Sequence, residues 1–436
     1  MRVTVDGTEV QVRPEATILE ACGMAGVEIP TLCHHPGLEP RPSCFVCVVR
    51  VAGRRRLAPA CATPVEEGMV VDASSPEVRQ ARRAALELLL SDHAGDCVAP
   101  CQTVCPAGVR IPEALRMIAL GDFAAAFRVF HEATGLVRVV GRLCHQPCEQ
   151  GCRRSQHDGG LGIRALERFA ASSEVDHDRA AEPRHPPVAV VGSGATGLSA
   201  AHHLERLGHP VTLCESSERL GGRLWSRVPD DLPAEDLEAD LRGLQRRVRA
   251  RLGCIVRGLE GLRALLRDHA AVLVACGSDA RAEFAELAKT EHGLWADRET
   301  CATSEPGVFA AGSAVAPVEQ AIRRIAAGRR AAESIHHALT GHNAREHPFS
   351  VHVGRMDPVS LSQYAAVAGS SPRSPRADDA TATLTPDEAR TEALRCLRCS
   401  CATQEQCRLR RLAIEYGAQP SRFAGQRRRP EIDDTH

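Results

Sequence analysis

Aromatic side chains are scarce: two Trp, two Tyr and nine Phe, 3% of 436 residues. Cores must therefore be built from Leu, Val, Ile and Ala, and 43% hydrophobic content is enough for more than one domain. An excess of either charge is also missing. The formal net charge is −1, which removes any general drive toward nucleic acid or an anionic membrane surface. No apolar run reaches the length of a membrane span, and the opening MRVTVDGTEVQV has neither the basic start nor the apolar centre of a secretory signal. These absences predict a cytoplasmic chain without a membrane span. Arginine far outnumbers lysine, which reflects coding bias.

What the chain has in quantity is cysteine, nineteen in all. Clustered thiols in a cytoplasmic chain indicate metal or redox work rather than disulfides. Cys33, Cys44, Cys47 and Cys61 are spaced C-x10-C-x2-C-x13-C. They fall in a segment that alternates strands (Val3–Val5, Val10–Val12), a helix (Thr17–Ala25) and further short strands (Cys47–Val51, Leu57–Cys61, Val70–Val71). That alternation suits a β-grasp. A zinc knuckle is the alternative, but soft anionic thiolates on that framework favour iron. Cys22, on the predicted helix, reads as a core residue.

Residues 76–92 predict an amphipathic helix, and 106–135 two more. Around them Cys97, Cys101 and Cys105 recur every fourth residue and end in Cys-Pro, and Cys144, Cys148 and Cys152 recur in the same way. Two such triplets can hold two iron–sulfur clusters with ligands shared crosswise. Near the end, Cys396, Cys399, Cys401 and Cys407 are spaced C-x2-C-x-C-x5-C. Four close thiolates suit zinc or a [4Fe–4S] cluster, and the redox context favours the cluster. The neighbouring basic runs RLRR and QRRR are solvated or dock an acidic partner.

VAVVGSGATGLSAAHHLERLGHPVTLCE reads as strand, G-x-G-x-x-G, helix, strand, acidic residue. Gly192, Gly194 and Gly197, with Ser193, Ala195 and Thr196 between and beside them, permit a tight turn and close backbone approach. A pyrophosphate can then meet the helix N-terminus, and Glu215 can bind ribose hydroxyls. FAD and NAD share this fingerprint, so the glycines do not choose between them.

Residues 1 to about 93 resemble the [2Fe–2S] domain that begins the large iron–sulfur subunit of respiratory complex I and of iron hydrogenases. The run from about 93 to 345 resembles the small subunit of glutamate synthase and the amino-terminal part of dihydropyrimidine dehydrogenase. That resemblance implies a helical domain with two [4Fe–4S] clusters followed by a flavin domain. It places Cys97, Cys101 and Cys152 on one cluster, with His93 as the nearest further donor, and Cys105, Cys144 and Cys148 on the other, completed by Glu167. ERLGGRL, with Gly222 and Arg223, is similar to the family's second flavin motif. TSEPGVFAAGSA is similar to its closing motif, with Gly312-Ser313 where the family has Gly-Asp. The resemblance thus implies FAD. It also implies a second G-x-G-x-x-G domain for NADPH between VLVACGS and the closing motif. Here only about thirty residues separate Cys276 from Gly307, too few for a βαβαβ unit.

The expectation is a multidomain chain: a β-grasp [2Fe–2S] ferredoxin-like domain (1–75), an α-helical domain with two [4Fe–4S] clusters (76–175), an α/β FAD-binding Rossmann-like domain (186–345) and a cysteine-rich helical tail with a further [4Fe–4S] motif (385–425). Asp176–Pro187 and residues 370–385 read as linkers, the latter flexible. No acid–base or nucleophilic constellation stands out, so no catalytic side chain is named. The expected function is electron transfer between FAD and the cluster chain, serving a partner such as a ferredoxin or a dehydrogenase or hydrogenase subunit. A self-sufficient NAD(P)H-dependent oxidoreductase is one alternative, and a flavin-less subunit that only carries clusters is another.

Overall fold

The computed structural model describes residues 1–93, 95–173, 182–342, 351, 354–379, 381–401 and 406–423. The chain divides into two compact units. One is Met1–Val98 with His347–Gly354 and Ser400–His436, and the other is Ala99–Glu346 with Arg355–Cys399.

The first unit is built on a five-stranded mixed sheet in the spatial order Thr8–Gln11, Arg2–Val5, Met69–Asp72, Val48–Val51, Ala58–Pro59. Asp6 and Gly7 take φ of 46° and 84°, the left-handed pair that closes a two-residue hairpin, so Val3 pairs with Val10. Arg2–Val5 then runs parallel to Met69–Asp72. The Ile18–Met24 helix covers the sheet. Thr17 and Glu20 form a reciprocal capping box at its start, and Ile18, Ala21 and Cys22 enter a core with Val3, Val5, Val49 and Val71. This is the expected β-grasp, with Cys22 in its core. The Pro76–Ser91 helix buries Val78, Leu86 and Leu90, and the Arg408–Tyr416 helix packs beside it through Leu412, Ala413 and Tyr416. Buried polar groups pin the pair. Arg82 donates to Tyr416 Oη at 3.2 Å, and Glu87 is held by Arg422 (2.7 Å) and Arg83 (3.3 Å).

The second unit joins a helical layer to a parallel sheet. The sheet order is Val308–Ala310, Ala271–Val274, Val188–Val191, Val211–Cys214, Arg249–Arg251, every neighbour parallel. The three central strands are buried at every position, as a sheet covered on both faces requires. Ala195–Arg206 and Ala321–Thr340 pack backbone to backbone. A Cβ on Gly328 would stand 2.2 Å from the Thr196 carbonyl oxygen, so only glycine fits there. Ile111–Leu120, Phe123–Thr134, Val137–Leu143 and Ile163–Ala171 make the helical layer, and Pro386–Leu394 from the tail packs onto it.

One expectation changes here. The described part of residues 370–385 is not a free linker. Pro375–Ala377 forms a 3-10 turn, Ala377 and Leu384 are buried, and Arg373 reaches the Gly160 carbonyl (2.6 Å) and Glu149 (2.8 Å). Its Ser/Pro/Asp composition reads as a spacer because the anchoring partners lie more than two hundred residues away. The tail, for its part, is divided between the two units at Cys399. Most of the Asp176–Pro187 stretch and the QRRR run lie outside the described residues. Among the described residues no helix is long and apolar enough to cross a membrane.

Candidate redox centres and dinucleotide site

Cys33, Cys44, Cys47 and Cys61 come together at one edge of the β-grasp as two pairs. The Cys33 and Cys44 sulfurs are 3.4 Å apart, as are those of Cys47 and Cys61. The pairs differ electrostatically. Burial raises Cys33, but the backbone N–H groups of Ser43 and Cys44 and side-chain donors outweigh it, bringing the thiol down to about 7. Cys61 is pushed up to about 12 by burial and by Cys47 beside it. Two thiolate pairs suit the two irons of a [2Fe–2S] cluster, and Cys33, whose thiol is held low, is also the exposed one of the four, whereas burial raises Cys44.

In the second unit, Cys105, Cys144 and Cys148 share their surroundings with Glu167. The Glu167 carboxyl is almost wholly buried, and its Oε1 has no hydrogen-bond partner. Burial, then the charge of Asp240, pushes it up to about 8 against the pull of Arg168. Burial lifts Cys105, Cys144 and Cys148 as well, Cys144 to about 12, and the charge on Glu167 opposes ionisation of all three. Four acidic groups crowded in apolar surroundings, one with an orphaned oxygen, form a donor set for a cation. The set fits a metal cluster.

Cys101 and Cys152 belong to the second unit and Cys97 to the first. Cys101 and Cys152 line one small cavity with Cys396 and Cys399, walled by Pro100, Leu115, Leu161 and Ile163. Cys97 lies in the other unit, where Cys407 and Cys401 are the thiols whose charge it feels. His93 is half-buried, and its Nδ1 donates to the Gly95 carbonyl at 3.1 Å. Among the described residues no three His, Cys, Asp or Glu side chains converge on a point that would hold a single ion. An iron–sulfur cube asks for something else, since each of its ligands binds a separate iron.

The glycine-rich turn has the form the sequence implies. Gly192 takes φ +100°, and a Cβ there would meet Cys276 Cα at 2.6 Å. A Cβ on Gly197 would stand 1.9 Å from the Gly192 carbonyl. The turn opens the Ala195–Arg206 helix, with Gly194 at its N-cap. Ser193 is fully buried and ties this turn to Glu215 and to the Gly221-Gly222 pair. Its N–H and Oγ donate to Glu215 Oε2 (3.0 and 2.5 Å), and its Oγ accepts from Gly221 N–H (3.0 Å). Burial raises the Glu215 carboxyl, but the donors on Ser193 and Ser217 outweigh it and keep the carboxylate ionised. Gly222 lies against Gly194, and Gly312 against Thr196. Arg223 is exposed and pairs with Asp279 at 3.2 Å. Ser313 Oγ donates to the Val318 carbonyl at 3.5 Å.

A cleft of about 830 Å³ lies along the closing motif, lined by Ala310, Ala311, Gly312, Arg323, Arg330 and, across it, Pro106. Sequence reasoning missed Pro106 and the arginines. The adjacency of Pro106 to Cys105 and the arginines of the Ala321–Thr340 helix were the available signals. Between Ala271–Val274 and Val308–Ala310 the chain forms a 3-10 turn at Gly277–Asp279 and a four-residue helix, Ala280–Glu283, but no strand.

Three family descriptions match in succession. Residues 1–76 match a 2Fe-2S iron-sulfur cluster binding domain, residues 80–179 match dihydropyrimidine dehydrogenase domain II with a 4Fe-4S cluster, and residues 159–340 match the pyridine nucleotide-disulphide oxidoreductases. The chain therefore joins two iron–sulfur domains to a dinucleotide-type domain. The YgfK oxidoreductase of Escherichia coli is 35% identical over 154 residues, covering 34% of this chain and 15% of that protein. The NADP(+)-dependent formate dehydrogenase subunit beta of Moorella thermoacetica is 32% identical over 225 residues, covering 44% and 31%. The NADP-reducing hydrogenase subunit HndD of Solidesulfovibrio fructosivorans is 49% identical over 104 residues, covering 22% and 18%. The chain thus spans less than a third of the length of each of these relatives. The β-grasp, the helical layer and the parallel sheet correspond to the three matched domains.

Proposed function

We propose that this chain is an electron-transfer flavoprotein subunit. FAD would be held by the Gly192–Gly197 turn, Glu215, Gly222 and the Gly312-Ser313 motif, and the chain would exchange electrons with a redox partner such as a ferredoxin or a dehydrogenase or hydrogenase subunit. The observation that carries this reading is the cleft that has Gly312 on one wall and Pro106, next to Cys105, on the other. A flavin bound there would supply the exchange between two-electron and one-electron steps, which clusters alone cannot make.

The protein's own groups do the rest. The backbone N–H groups at the start of the Ala195–Arg206 helix offer an anion cradle. Gly197 keeps the turn tight enough for that cradle to form. Arg323 and Arg330 lend positive charge to the cleft. Pro106, which lines the cleft, follows Cys105 directly in the chain. The flavin-less alternative draws on Ser313, whose hydroxyl is turned to the Val318 carbonyl and brings no charge.

Anaerobic purification tests the proposal. Expected are one FAD per chain by acid release and chromatography, and about 14 iron atoms, two from the small cluster and four from each of three larger ones. Iron without flavin would leave the cluster-only subunit. Gly197→Ala should cost most of the flavin, because its Cβ cannot be placed 1.9 Å from the Gly192 oxygen, while the iron content stays.

A further inference from the structure

In sequence the four tail cysteines look like one self-contained motif. The structure divides them: Cys396 and Cys399 belong to the unit that begins at Ala99, Cys401 and Cys407 to the unit that begins at Met1. We propose that the tail is a strap that completes two separate clusters. Cys396 and Cys399 join Cys101 and Cys152 around one [4Fe–4S] centre, while Cys401 and Cys407 join Cys97 and His93 around another. The proposal rests on the iron–sulfur reading above and names the ligands of two of its clusters.

For the first centre, the four thiols line a single cavity whose other walls are apolar. Four thiols around one cavity offer one sulfur to each iron of a [4Fe–4S] cluster. The chain also brings positive charge to that place. Arg395, the residue before Cys396, is wholly buried. It donates to Glu392 at 2.8 Å, to the Gly159 carbonyl at 3.1 Å and to Asp158 at 3.4 Å. Arg154, two residues after Cys152, is buried as well and donates to the Arg395 carbonyl and to Asp158. Arg395 Nε has no hydrogen-bond partner. Glu392 accepts the Gly162 and Ser374 N–H groups at 2.9 and 3.0 Å. This network clamps the Cys396 turn onto the Cys152 turn and sets guanidinium charge beside thiolates that would carry the net negative charge of a cluster.

For the second centre, Ser400 forms a β-bridge with Asp96. Cys401 N–H donates to the Asp96 and Cys97 carbonyls at 3.1 and 3.3 Å, and Cys97 N–H to the Val351 carbonyl at 3.0 Å. Cys407 caps the Arg408–Tyr416 helix, its sulfur accepting from Arg410 N–H at 3.4 Å. Leu409 and Leu412 of that helix pack in the same apolar cluster as Cys97. His93 supplies the fourth donor. Its Nδ1–H is committed to the Gly95 carbonyl, which leaves the lone pair on Nε2 for iron.

Single alanine variants of the full chain, purified anaerobically and compared by EPR after reduction and by iron analysis, test the assignment. Cys101→Ala and Cys399→Ala should extinguish the same [4Fe–4S] signal. Cys97→Ala and Cys407→Ala should extinguish a different one, each variant losing about four irons. His93→Ala should alter only the second signal. The [2Fe–2S] signal persists throughout and reports that the chain is folded. The assignment is overturned if Cys399→Ala and Cys407→Ala remove one common signal that Cys101→Ala and Cys97→Ala spare. Wild-type protein with no [4Fe–4S] signal would instead overturn the reading beneath it.

Discussion

Mixed anaerobically with excess NADH or NADPH in a stopped-flow instrument, the flavin-loaded chain stays oxidised over a normal turnover time, whereas dithionite reduces it. Hydride transfer needs the nicotinamide held against the flavin in a near-attack geometry, and such positioning supplies roughly 7–11 kcal/mol of barrier lowering in well-oriented reactions. The glutamate synthase type of enzyme, which this chain resembles, holds the nicotinamide with a second dinucleotide domain. Here the connection between Ala271–Val274 and Val308–Ala310 contains a turn and one four-residue helix, with neither a strand nor a glycine-rich turn that could cradle a second pyrophosphate. The expected loss relative to an enzyme with that domain is several orders of magnitude in rate. Electrons would therefore enter from a partner, with Cys33 as the exposed cluster edge. Complete flavin bleaching by NADH or NADPH would restore the self-sufficient oxidoreductase.

Glu167→Ala removes one [4Fe–4S] signal and leaves the [2Fe–2S] signal in place. Glu167→Gln keeps the cluster and raises its potential, since an amide oxygen can bind iron but brings no negative charge. The alanine variant should lose cluster affinity by at least ~100-fold, the upper range for disturbing a ligand's supporting contacts alone. In iron-free protein the sign inverts. Folding raises the Glu167 pKa from 4.5 to about 8 because burial disfavours the charged form. The stability this group contributes is present below pH 4.5 and is lost as pH rises through about 8, roughly 3–5 kcal/mol over the window. Glu167→Gln should therefore resist urea better than wild type at pH 8 when both lack iron, with no gain at pH 4. Unchanged EPR spectra in Glu167→Ala would make it an ordinary helix residue.

The elements governed by local rules were legible in sequence. The hairpin at Asp6-Gly7, the capping box at Thr17 and the glycine turn at Gly192 all use short-range chemistry, and the β-grasp and the parallel sheet follow from their period and order. The orphaned oxygen of Glu167 could not be read from sequence, but the place of Glu167 beside Cys105, Cys144 and Cys148 follows the resemblance. Sequence says least where the decisive partner is distant. Cys97 stands four residues from Cys101, and even spacing suggests one shared site. Yet Cys97 and Cys101 fall in different units, and each keeps company with thiols from the end of the chain. The 370–385 segment misled in the same way, because composition records neither Arg373 bonding to Gly160 nor the burial of Ala377.

The Arg154–Arg395 contact spans 241 residues. A ribosome therefore releases the Cys152 turn long before the Arg395 turn that closes over it exists, and the cavity lined by Cys101 and Cys152 stays open on one side until that turn has been made. Contacts of such long sequence separation form late and slowly. The turn that carries Arg395, Cys396 and Cys399 thus closes the cavity last, and a chain cut before it presents the Cys101 and Cys152 thiols unfilled. Oxygen and stray copper would find those thiols first, so closure by the Arg395 turn protects the cluster-loading step.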